Sequence, residues 1–118
     1  MHMSRFGKTF ISLAVVGLFV GGTLVRTSRA ADLANAKQVY GEKCAKCHGD
    51  TGKGDGPKAK NLKKQPRDYS NKAEMAKFTD AKLKEETLTG KKPMPSYEGK
   101  LDDKTIDDLI AYIRTFAK

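Results

Sequence analysis

The chain reads as an all-α domain, three to five helices joined by long loops. Three observations carry that reading. Apolar residues in several segments recur at three- and four-residue steps. Strand-favouring residues are sparse and fall in the same helical spacing. Between the helical segments lie long stretches rich in glycine, proline and lysine, too long for a small domain unless they wrap around something.

The 118 residues allow one ordinary domain, and the first thirty read differently from the rest. Arg5 and Lys8 precede an apolar run from Phe10 to Val20, which trails through Val25, and no acid appears before Asp32. Ser28-Arg29-Ala30 then places small residues at the first and third positions of a cleavage site. Residues 1–30 are expected to be a secretory signal peptide, leaving residues 31–118 as the working domain in the periplasm. The alternative is a retained anchor, but Phe10 to Val25 is shorter than the about 20 apolar residues a spanning helix needs. No later segment is apolar enough to span, so no stable membrane insertion is expected after cleavage.

The first helix of the domain is expected over residues 32–47. Asp32 is its N-cap, and Leu33, Ala36, Val39, Tyr40 and Cys44 fall on one face. From Gly49 to Pro66 the pattern stops and a structureless loop is expected. Asn71 can cap a short helix to about Lys77, with Glu74 placed as in a capping box. Thr79 can cap the next helix, which carries Leu83 and Leu88 and ends at Gly90. Pro93 and Pro95 then break regularity on either side of Met94. The last helix starts at Asp102 or Asp103, with Ile106, Leu109, Ile110, Ile113 and Phe116 on one face. Its acids at the start and Arg114 and Lys118 at the end suit the helix dipole; Asp102, Asp103, Asp107 and Asp108 read as surface charge, not as a catalytic pair.

The whole chain has a net charge of +9. Residues 1–30 supply four of those positive charges, and residues 37–67 hold nine basic against three acidic residues. Nucleic acid is not the expected partner, since no binding motif accompanies the charge.

The domain has two cysteines and one histidine, all in Cys44-Ala45-Lys46-Cys47-His48. Four chemistries could use them. Structural zinc wants four such ligands, and three are present. A thioredoxin-like dithiol sits at a helix start in a βαβ unit, which this pattern lacks. A disulfide across so short a loop would constrain the unfolded chain little. Covalent haem c uses this spacing: two thiols three residues apart bond one haem edge, and the next residue offers its imidazole to the iron. It also supplies a bulky apolar centre to an 88-residue domain with few large apolar side chains.

On these residues the sequence resembles the small single-haem class I cytochromes c. The motif Cys44–His48, the stretch Lys91 to Asp103 and the helical Asp107 to Phe116 carry the resemblance. It implies the small cytochrome c fold wrapped around one haem, with Cys44 and Cys47 as tethers and His48 as an iron ligand. It implies Met94, 46 residues after His48, as the second axial ligand. Its proline-flanked setting also argues against core filler, whereas Met75 on a short helix reads as packing. The resemblance further implies that the Pro57 carbonyl accepts the His48 ring N–H, and that Ala36, Tyr40 and Tyr112 mark a close crossing of the first and last helices. With both axial positions filled, one-electron exchange is the expected function, not catalysis, and the expected partners are redox proteins. The cations Lys43, Lys46, Lys53, Lys58, Lys60, Lys63, Lys64 and Arg67 would steer acidic docking surfaces, if they face the haem edge. A haem subunit of a larger oxidoreductase is the alternative, and a gas-binding or sensor haem is another if Met94 does not stay bound.

Overall fold

The computed structural model describes residues 30–118. Apart from Ala30, the expected export segment lies outside the described residues. Five α-helices follow in order: α1 Leu33–Lys43, α2 Ala45–His48, α3 Lys72–Met75, α4 Asp80–Thr89 and α5 Asp103–Arg114. No strand occurs among the described residues, and none of their helices is long and apolar enough to cross a membrane.

The helix starts follow the local chemistry. The Asp32 carboxylate accepts from the Asn35 N–H, Asn71 from Glu74, Thr79 from Lys82 and Asp102 from Thr105. Each satisfies a donor that the first turn cannot. Gly90, at φ 66°, ends α4 in a conformation that costs other residues more.

Three local expectations need correction. The expected helix over 32–47 is two helices, interrupted at Cys44, whose N–H still bonds the Tyr40 carbonyl while Cys47 and His48 turn back to the Cys44 carbonyl. The loop from Gly49 to Pro66 contains one 3₁₀ turn, Ala59–Asn61. Helix α3 stops at Met75 instead of Lys77, and the Glu74 carboxylate accepts from Lys77 Nζ at 2.7 Å, an interaction separate from the Asn71 cap.

The core lies where α1 crosses α5. Ala36 is fully buried there, and its single methyl lets the two backbones approach. The rings of Tyr40 and Tyr112 meet edge-on at 5.5 Å, and Phe116 closes the cluster at 5.2 Å and 5.1 Å from them. Such pairs contribute about 0.5–1.5 kcal/mol each beyond burial. Leu109, Ile110 and Ile113 of α5 pack with Leu83 of α4 and Met75 of α3 on the same core. Met75 is 1% exposed, so it is a packing residue as expected.

Arg114 does more than answer the helix dipole. Its Nε donates to Asp80 at 2.9 Å, and its two terminal nitrogens donate to the Met75 and Phe78 carbonyls. It stitches the end of α5 to the α3–α4 connection. Asp108 also departs from the reading as surface charge: it is 5% exposed and accepts from Lys104 one turn earlier.

Candidate haem site

The described chain encloses a cavity of about 570 Å³. That lies in the range of pockets that bury a cofactor. Cys44, Cys47 and His48 form part of one wall, and Met94 with Pro93, Pro95 and Tyr97 forms part of another. Leu83, Leu109, Ile110 and Ile113 add apolar surface. The structure therefore brings Cys44, Cys47, His48 and Met94 to one cavity, and leaves Met75 and Pro57 off its lining.

The motif wall is held by backbone. The Gly54 N–H donates to the His48 carbonyl at 2.7 Å, Gly56 to Cys47 at 3.1 Å and Lys58 to Lys46 at 2.9 Å. The Tyr40 hydroxyl donates to the Gly49 carbonyl at 2.7 Å. Gly56 lies so close that a Cβ there would sit 2.5 Å from the carbonyl oxygens of Ala45 and Lys46. Glycine is required at this point by the approach of two backbones.

The donor set fits a haem with two thioether tethers. Cys44 and Cys47 are not joined to each other as a disulfide. Burial pushes the Cys44 thiol up to about 11, with the Lys43 ammonium opposing and Cys47 adding to the rise, so it stays protonated at neutral pH. Burial lowers the His48 imidazole, so the ring is neutral, the form a metal takes. Its Nδ1 lies 3.3 Å from the Arg67 carbonyl. A carbonyl can only accept, so this contact puts the proton on Nδ1 and makes Nε2 the acceptor nitrogen, within reach of the Tyr69 hydroxyl as donor. The Tyr69 hydroxyl lies 3.3 Å from Nε2, and the two rings stack at 4.5 Å and 12°. The Pro57 carbonyl is not the partner of the ring here; Pro57 is exposed, in the loop laced to the motif backbone.

Of the eight cations singled out in the sequence, Lys43, Lys64 and Arg67 line the cavity, and the other five do not. Lys91 and Lys92 join them from the methionine loop. Arg67 is not a free surface charge. It pairs with Glu86 at 2.8 Å, and its guanidinium lies 3.7 Å from the centre of the Phe78 ring. That pairing lowers the Glu86 carboxyl. Sequence reading missed Tyr69, Tyr97 and the inward role of Arg67. The only signal available was that Tyr69 and Tyr97 are aromatics in otherwise polar loops.

The cytochrome c family profile matches residues 33–117. The cytochrome c6 of Thermostichus vulcanus is 32% identical over 107 residues, covering 90% of this chain and 89% of that protein. The Cbb3-type cytochrome c oxidase subunit CcoP of Azospirillum sp. strain B510 is 34% identical over 123 residues, covering 94% of this chain and 39% of the subunit. A solved c-type cytochrome shares the fold with a TM-score of 0.63 at 24% identity, over 70% of this chain and 98% of that one. The five helices, the cavity and the Cys44–His48 motif agree with these matches: the chain belongs to the cytochrome c family, as a small class I c-type cytochrome with covalent haem c as its cofactor.

Proposed function

We propose that the protein is a periplasmic one-electron carrier with a single haem c, bound through Cys44 and Cys47 and ligated by His48 and Met94. The observation that carries this reading is the placement of Met94 on the same cavity as the motif, while the other methionine of the domain, Met75, is packed in the core. Thioether opposite imidazole favours the ferrous state and raises the potential. With His48 and Met94 both as ligands, the iron would offer small molecules no open position, and the haem would supply one-electron exchange.

The chain's own groups divide the work. His48 offers Nε2, while the Arg67 carbonyl holds the Nδ1 proton and so raises the basicity of the ring. Pro57 enters this reading only as the alternative acceptor of that proton. Lys43, Lys64, Lys91 and Lys92 at the cavity favour redox partners with acidic docking surfaces. The resemblance to an oxidase subunit favours a second reading, in which this domain serves as the haem subunit of a larger oxidoreductase.

The purified protein tests the proposal directly. Its intact mass should equal residues 31–118 plus one haem, and it should take up one electron reversibly. A mass retaining residues 1–30 would contradict the exported, cleaved form. Stoichiometric co-purification with a catalytic chain would favour the subunit reading.

A further inference from the structure

The methionine loop is fastened unevenly. The Tyr97 N–H contacts the Thr87 and Leu88 carbonyls at 3.2 Å each, the Glu98 N–H donates to Leu88 at 3.1 Å, and the Ser96 hydroxyl donates to Leu88 at 2.6 Å. The Met94 N–H bonds the Lys91 carbonyl within the loop. All these bonds run to the end of α4 or stay inside the loop. One crosses to the opposite wall: the Tyr97 hydroxyl donates to the Lys43 carbonyl at 3.1 Å, across 54 residues of sequence. Lys43 ends α1 and precedes Cys44. Its carbonyl is among those that a helix end leaves without an intrahelical donor. The Tyr97 side chain lines the cavity, three residues after Met94.

We infer that Tyr97 is a positioning residue for the axial methionine, its hydroxyl clasping the methionine loop to the end of α1 so that the Met94 sulfur stays on the iron. This rests on Met94 being a ligand. Ligand release requires the loop to swing away from the motif wall. The α4 attachments form the hinge side of that swing, and the Tyr97–Lys43 bond lies on its opening side. Losing the hydroxyl should therefore speed opening without unfolding the helices.

The test uses the haem-loaded full protein and Tyr97→Phe, which keeps the ring and removes only the donor. Ser96→Ala, which removes a hinge-side bond of the same loop, is the comparison. Three readouts are taken: the ferric charge-transfer band of thioether-bound haem, the rate of carbon monoxide binding to the ferrous protein, and helix unfolding by circular dichroism in urea. Tyr97→Phe should keep the band in buffer, bind carbon monoxide about two- to tenfold faster, as expected for one net hydrogen bond, and lose the band at lower urea than its helices. Ser96→Ala should change the rate less. An unchanged rate in Tyr97→Phe, or an equal rise in both variants, would overturn the inference while leaving Met94 a ligand. A wild-type protein without the band would overturn the ligation reading, and this inference with it.

Discussion

The two sides of the cavity are built differently. The motif side is made of helix ends and a glycine-rich loop that approach until their backbones touch, with Gly54, Gly56 and Lys58 donating to three consecutive motif carbonyls. The methionine side is a proline-flanked loop with exposed Lys91, Lys92, Pro93 and Pro95, leaning on one end of α4 and reaching the motif side through Tyr97. A tether formed by two covalent bonds needs a rigid frame for the imidazole. A coordinate bond to a thioether can be made and broken, so the stiffness of its loop sets whether the site is a closed carrier or an open, reactive one. On this account the motif side fixes the cofactor and the methionine side fixes the activity.

Removing the sulfur breaks that contrast most completely. Met94→Ala should open the iron to carbon monoxide and lower the potential by on the order of a tenth of a volt or more, within the roughly 0.8 V that axial ligation spans; a redox titration reads it. Met75→Ala should do neither, yet should cost about 2–5 kcal/mol of stability by leaving a cavity in the core. Chemical denaturation with the spectrum followed in parallel separates the two methionines. On the motif side, Gly56→Ala forces a methyl against two carbonyls and should cost about 1–3 kcal/mol. It should disturb the imidazole environment, read by the proton resonances of His48, before it disturbs Met94. The smallest effect is expected from Thr79→Ala, which removes the α4 cap and should cost about 1 kcal/mol in thermal unfolding. Because α4 anchors the methionine loop, that loss should appear first in the thioether band.

Much of this arrangement was legible in residue types. Asp32, Asn71, Thr79 and Asp102 announce the helix starts because capping is local, and the three- and four-residue steps from Ile106 to Ile113 announce the buried face of α5. Cys44, Cys47, His48 and Met94 could be named from spacing and from the resemblance, and the structure gathers them on one cavity. What spacing could not carry was facing. Arg67 counts as one more cation in a basic loop until Glu86, 19 residues away, and Phe78 draw it inward. Asp108 belongs to an acidic helix start, but the turn of the helix buries it. The break at Cys44 lies just before the three motif carbonyls that the glycine loop bonds, and apolar spacing alone does not mark it. Pro57 sits in that same loop, and its expected partner is instead given the Arg67 carbonyl.

The central claim is that both axial positions are filled by the chain, one from each side of the cavity. Adding carbon monoxide to the reduced, haem-loaded protein tests it most directly. The account predicts an absorption spectrum unchanged on mixing. Prompt conversion to a carbon monoxide complex would contradict it and would make the methionine side of the site an open one.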